Sequence, residues 1–284
     1  TGGYTLFVDL EHASGPTGSD FQHNRALADA TAFLGLGGEL VLAGRLRAGW
    51  LGAREFQGLA SATPGMAPRV AHPQKRFYAG GANSVRGYAQ NQLGPQLVST
   101  QIENLVFPVG EAESAACTPE EVADLSCDAS ELATSNRFFR RPAGGNRLLE
   151  GSVELRFPVW GSLVGGAAFV DFGRVHDGSS RFSLSDMAFT PGLGLRYSTP
   201  IGPLRVDVGY RPPETAALRV VTSQLRPFDP ERDSEDARLR SGDSVLDWVA
   251  LEDLALLQPR VTLQDGSESF WSRLQLHFSL GQAF

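Results

Sequence analysis

Apolar and polar residues alternate along most of this chain, and eight segments carry the alternation far enough to predict β-strands. In Tyr4–Ala13, Tyr4, Leu6, Val8 and Leu10 fall on one face and Thr5, Phe7, Asp9 and Glu11 on the other. Arg25–Leu36 is an Ala-rich version with Asp29 and Thr31 on its polar side, and Leu40–Leu51 sets Leu40, Leu42, Leu46 and Trp50 against Arg45 and Arg47. Leu148–Pro158 places Val153, Leu155 and Phe157 opposite Ser152, Glu154 and Arg156. Leu163–Val175 places Ala168, Val170 and Phe172 opposite Phe169, Asp171 and Gly173. Phe189–Thr199 and Pro203–Arg211 repeat the pattern, with Arg196, Arg205 and Asp207 on their polar sides. The last segment, Ser272–Phe284, sets Leu274, Leu276, Phe278, Leu280 and Phe284 against Arg273, Gln275, His277 and Ser279.

A two-faced strand fits a soluble sandwich, with its apolar face on a core, or a membrane barrel, with that face on lipid. Alternation leaves both open, and the connections separate them. Gly37–Glu39, Val159–Ser162 and Pro200–Gly202 are short; Ser14–Asn24 and His176–Ala188 are medium; residues 52–147 and 212–271 are long. All short joints fall at one end of the strands, as in outer-membrane barrels with tight periplasmic turns and long extracellular loops. The expected fold is therefore all-β, an antiparallel transmembrane β-barrel domain spanning 1–284. An even strand count puts both chain ends on the periplasmic side. Within the last loop, Val245, Trp248, Val249 and Leu256 have helical spacing, Asp243 or Ser244 stands at a cap position and Pro259 follows, which predicts a short helix over Ser244–Leu257.

Composition narrows the function classes. The 284 residues carry 25 Lys+Arg against 32 Asp+Glu, a net charge of −7, without the basic face of a nucleic-acid binder. Hydrophobic residues make up 42%, yet no apolar run approaches the roughly 20 residues of a membrane-spanning helix. The 32 Gly and 17 Pro fit a chain of many turns. Thr1-Gly-Gly-Tyr4 runs straight into a strand without a signal-peptide pattern, so a processed product or a fragment is expected. Cys117 and Cys127 stand in a polar stretch, and a local bridge between them would imply an oxidising compartment.

No catalytic constellation stands out. The histidines His12, His23, His72, His176 and His277 form no metal-binding pair, no nucleophile elbow is present, and a lone His277 on the polar side of the last strand reads as structural. The acidic run Asp229–Asp236 lacks the spacing of a calcium loop and reads as a solvated tip. Ala79-Gly-Gly-Ala-Asn-Ser-Val-Arg86 lacks the Lys-Ser/Thr ending of a phosphate cradle. A non-enzyme without cofactor or metal is expected.

Taken whole, Arg76-Phe-Tyr-Ala-Gly-Gly-Ala-Asn-Ser-Val-Arg-Gly-Tyr88 resembles the signature loop of the BamA/TamA (bacterial surface antigen) family of outer-membrane assembly factors. Ser152–Pro158, Ala168–Gly173 and Gly192–Asp207 are similar, in order, to later family strands, and Leu276, Phe278, Leu280 and Phe284 resemble its C-terminal targeting signal. The cysteine pair tilts the resemblance towards the BamA branch, where such a pair can form a disulfide. The resemblance implies that the loop folds back into the lumen, where Arg86-Gly87-Tyr88 is held by the acids Glu154 and Asp171. Alternation had already put both acids on the polar face. It also implies that the chain matches the last eight strands of a sixteen-stranded barrel, with no periplasmic POTRA domain. The expected function is catalysis of folding and insertion of β-barrel proteins. The expected partners are outer-membrane lipid, unfolded barrel clients and either accessory lipoproteins or a second copy completing the barrel; nucleic acid is not among them. A polypeptide-secreting pore of the two-partner type, whose members also carry an Arg-Gly-Tyr loop, and a short eight-stranded structural barrel are the rival expectations.

Overall fold

The computed structural model describes residues 2–19, 22–53, 72–108, 114–128, 139–161, 163–177, 186–200, 202–213, 215–264 and 269–281. In chain order the strands are β1 (Gly3–Ala13), β2 (His23–Gly37), β3 (Leu40–Ala53), β4 (Gln96–Ser99), β5 (Phe139–Pro142), β6 (Arg147–Trp160), β7 (Val164–His176), β8 (Ala188–Tyr197), β9 (Leu204–Tyr210), β10 (Thr215–Pro227), β11 (Arg238–Ser241), β12 (Ser244–Gln264) and β13 (Leu274–Leu280). Two short helices, α1 (Glu103–Val106) and α2 (Pro119–Ala123), lie between β4 and β5.

The eight segments with period-two alternation form one antiparallel sheet in the order β1-β2-β3-β6-β7-β8-β9-β13. Each strand pairs with its sequence neighbour in this set, which is what tight turns at one end dictate. Gly37 and Gly202 make two of these turns, at φ values of 91° and 121° that side chains with a Cβ rarely adopt. The two faces of the sheet are opposite in character. Leu6 (66% exposed), Leu193 (65%) and Phe278 (71%) stand out from one face, whereas Glu154, Asp171 and Asp207 are fully buried on the other. A soluble sandwich would bury the first face on a core; here it is bare, the arrangement that lipid satisfies.

The inner face is stitched across strands by ion pairs. Arg25 reaches Asp9 at 2.6 Å, Arg45 reaches Asp29 at 2.6 Å, and Arg47 contacts both Asp29 and Glu150. These pairs join β1 to β2, β2 to β3 and β3 to β6, at the opposite-charge positions that stabilise neighbouring strands.

The two long connections carry structure of their own. Residues 96–141 and 214–266 form a second compact unit. Its five-stranded sheet runs β11-β12-β10-β4-β5. β4, from the first connection, pairs parallel with β10, from the second, through Leu97↔Arg219, Val98↔Val220 and Ser99↔Val221. Val98, Leu105, Val122, Val220, Leu239 and Leu257 pack into its core. Cys117 and Cys127 are disulfide-bonded in that core, on either side of α2. Thr118 and Glu121 close a capping box at the start of α2.

The helix expected over Ser244–Leu257 is instead part of the 21-residue strand β12. Its pairing with β10 shifts register between Leu218/Val220 and Ser223/Leu225, and its pairing with β11 shifts between Arg238 and Leu239. Each shift breaks the two-residue repeat, and the apolar residues that remain imitate a helical spacing. Gly242, at φ 58°, closes the β11–β12 hairpin where a helix cap was expected.

The forked ion pair between Arg226 and Asp233 anchors residues 227–238, with Arg232–Asp229 and Arg238–Glu235 beside it. Arg226 grips Asp233 with Nη1 at 2.6 Å and Nη2 at 2.5 Å, and the Asp229 amide donates to the same carboxylate at 2.9 Å. The hydrogen bonds from Arg226 and then from the Asp229 backbone lower the Asp233 pKa to about 2. A depressed carboxylate contributes its full stabilisation above the ordinary value of about 3.9 and loses it as pH falls through the folded value. An NMR titration is expected to place the Asp233 midpoint near 2, and Arg226→Ala to return it towards about 3.9.

Candidate functional site

The segment Arg76–Gly94 folds into a compact loop before it meets the strands. Phe77 and Gly145 exchange backbone hydrogen bonds at 2.9 Å, Leu93 donates to Ala79 at 3.0 Å, and Gly81 donates to Tyr88 at 2.9 Å. Its apolar residues Phe77, Ala79, Val85, Tyr88 and Leu93 pack against Leu51, Leu148 and Val175, which point inward from β3, β6 and β7. The loop is thus a small plug, seated on the inner face of the eight-stranded sheet through an apolar cluster it shares with β3, β6 and β7.

Arg86 is the centre of the contact and is 1% exposed. Its Nε and Nη2 both donate to Asp171 at 2.8 Å in a forked geometry, and its backbone N–H adds a third bond to the same carboxylate at 2.9 Å. Nη1 donates to Glu154 at 2.8 Å and reaches Asp207 at 3.4 Å, while Nη2 also contacts the Ser152 hydroxyl at 3.2 Å. The guanidinium lies over the Phe169 ring, 3.3 Å from its centroid. Burial alone would disfavour the charge, but the hydrogen bonds and charges of Asp171 and Glu154 outweigh it and hold the Arg86 pKa above its ordinary value.

Two of the three acids are shared with arginines of the wall. Glu154 also pairs with Arg156 at 2.7 Å and Arg196 at 2.8 Å, and Asp207 pairs with Arg205 at 2.8 Å. Three carboxylates therefore stand among four guanidiniums, close enough to balance for a buried cluster to persist. Around this centre, Ser84 donates to Glu150 at 2.5 Å, Arg45 to the Asn83 carbonyl at 3.0 Å, and Arg205 to the Ala82 carbonyl at 2.6 Å. The residue after Arg86 must be glycine on steric grounds, because a Cβ on Gly87 would lie 2.3 Å from Thr190 Cγ2.

Of the residues singled out from the sequence, Arg86, Gly87, Tyr88, Glu154 and Asp171 come together at this one contact. Leu276, Phe278 and Leu280 project from the bare face of β13; Phe284 lies outside the described residues. Cys117 and Cys127 belong to the second unit, where closing a ten-residue separation contributes about 2–3 kcal/mol. Sequence reasoning missed Asp207, Ser152 and Phe169 as Arg86 partners. Alternation had placed all three on the correct face, so the face assignment itself was the available signal. Among the described residues no group of three or more His, Cys, Asp or Glu side chains is arranged to hold a metal.

Residues 1–224 match the Omp85 superfamily domain. Among solved structures, the chain is similar to BamA from Haemophilus ducreyi lacking POTRA domains 1–3, at 17% identity and a TM-score of 0.40. That match covers 66% of this chain and 31% of the other, so the chain spans less than a third of its neighbour.

Removing one partner of a buried ion cluster leaves uncompensated charge, at a cost of about 3–5 kcal/mol. Arg86→Ala is therefore expected to undock the loop, seen as rapid proteolysis within 76–94 of the lipid-embedded protein. Asp171→Asn keeps one oxygen for the Arg86 N–H and Nε donors and is expected to loosen the loop less.

Proposed function

The chain belongs to the Omp85 superfamily, and from that premise we propose that it is the membrane part of an assembly factor that folds and inserts β-barrel proteins into the outer membrane. The superfamily places it among outer-membrane β-barrel proteins of assembly and secretion. The observation that supports the finer reading is the docking of the Arg86 loop on the acids of β6, β7 and β9. That contact fixes one wall of the barrel from within by non-covalent means. Catalysis here means lowering the barrier to insertion, with lipid on the bare face, an unfolded barrel as client and both chain ends on the periplasmic side.

The position of the loop also speaks to barrel width. An interior closed by eight strands has room for little beyond its own side chains. The inner face of this sheet holds its side chains and a loop packed on them through a shared apolar cluster. β1 and β13 are the sheet's outer strands among the described residues, and the bilayer does not tolerate open edges. The eight strands are thus read as one side of a wider barrel, completed by further strands of a longer protein or of a second copy.

The test is reconstitution of the full natural protein in liposomes, with insertion of an unfolded outer-membrane barrel followed by protease protection. Insertion faster than in empty liposomes, reduced about tenfold or more by Arg86→Ala, is the expected result, given the size of the anchoring energy. Insertion no faster than in empty liposomes, together with release of a soluble polypeptide across the membrane, would replace the assembly reading with the secretion one.

A further inference from the structure

β13 is the last strand of the eight-stranded sheet and pairs with β9 over seven positions, from Leu274↔Tyr210 to Leu280↔Leu204. His277 stands opposite Asp207 in this ladder and faces the inner side. Its Nε2 lies 2.9 Å from the backbone carbonyl oxygen of Arg86. A carbonyl oxygen only accepts, so Nε2 carries the proton and the contact fixes the tautomer. The same carbonyl rests on β9 at Gly209, where an added Cβ would come within 2.4 Å of it. Arg86 is thereby held at both ends, its guanidinium by β6, β7 and β9 and its carbonyl by β13.

We infer that His277 is a positioning residue that latches the last strand to the Arg86 loop, so that loop docking and the placement of β13 are one coupled equilibrium. The alternative, a histidine that merely fills space on the lumen wall, requires neither a donor at this position nor any response of the loop to its loss. The functional consequence rests on the assembly reading: an extended client segment would add to the edge of β13 where the strands that complete the barrel part from it, so the docked loop holds that edge in place and the released loop frees it. Coupling of this kind is reciprocal, and whatever the latch contributes to the loop it contributes equally to the strand.

Amide hydrogen exchange of the full protein in lipid tests this at two segments, 84–88 and 274–280. His277→Phe keeps a ring of similar size without the donor and is expected to speed exchange about two- to tenfold in both segments, the worth of one hydrogen bond. His277→Gln, whose amide retains a donor at similar reach, is expected to restore near-native protection. Gly209→Ala displaces the carbonyl without touching His277 and is expected to loosen 274–280 as His277→Phe does, which keeps the test open if the phenylalanine variant does not fold. Arg86→Ala is expected to loosen 274–280, with no added effect from His277→Phe in the same molecule. A change confined to β13, or glutamine as damaging as phenylalanine, overturns the latch. Client insertion by the wild-type protein is scored separately: its absence beside a reciprocal exchange pattern removes the assembly reading and leaves the latch standing.

Discussion

A guanidinium withdrawn from water has to recover both its charge balance and its hydrogen bonds from the protein around it. Arg86 does so through Asp171, Glu154, Asp207 and Ser152, drawn from β6, β7 and β9. That requirement constrains far more than one side chain. Side chains alternate across a strand, so a one-residue slip in any of the three would carry its acid to the lipid side and leave the arginine uncompensated. The ladder that sets Ser152 against Asp171 and Glu154 against Phe169 brings the hydroxyl, both carboxylates and the aromatic ring to one point. Strand register and loop position therefore specify each other.

The division of labour between the two faces follows from the solvent on each side. Lipid accepts Leu193 and Phe278 at no cost, so the outer face supplies little that holds neighbouring strands together beyond their backbone hydrogen bonds. Specific tertiary contacts must come from within. Across β1, β2 and β3 they are ion pairs, Arg25 with Asp9 and Arg45 with Asp29. Across β6 to β9 they combine direct pairs, Arg196 with Glu154 and Asp207, with contacts that run through the loop, which also reaches β13. Glu154 and Asp207 each serve more than one arginine, so that part of the wall remains partly neutralised by Arg156, Arg196 and Arg205 when the loop departs, whereas Asp171 loses its arginine and keeps the Ser152 hydroxyl. A contact built this way is tight when made, and its loss falls most heavily on Asp171.

The sequence made the eight strands legible because a half-lipid, half-lumen strand writes its geometry as a strict two-residue repeat. Glu154 and Asp171 were legible for a second reason, since face assignment and motif resemblance pointed to the same residues. Asp207 shared the face assignment and ends a segment that resembles the family, but the resemblance implies no loop contact for it. His277 carried the face assignment alone, because a hydrogen bond from one imidazole to a distant carbonyl leaves no periodic trace of its own. The second unit was hidden for a related cause: parallel pairing of 97–99 with 219–221 joins segments far apart in the chain, and the bulges in β10 and β12 erase the repeat that would have marked them as strands.

The loop does for this sheet what an apolar core does for a soluble one. A sheet in a soluble protein is held to its curvature by side chains packed against one face. In a wide lumen that face meets water, and strands joined only by their ladders are free to twist and splay. Phe77, Val85, Tyr88 and Leu93 give β3, β6 and β7 an apolar layer to pack on, and directly beside it Arg86 adds a charged anchor. Both halves arrive on one short segment, so they are gained and lost together. The strands that depend on this segment include β13, at the sheet's end, whereas β1 and β2 are joined by ion pairs of their own. Undocking would therefore act unevenly, loosening the side of the sheet that ends in β13 while leaving the β1–β2 side in place.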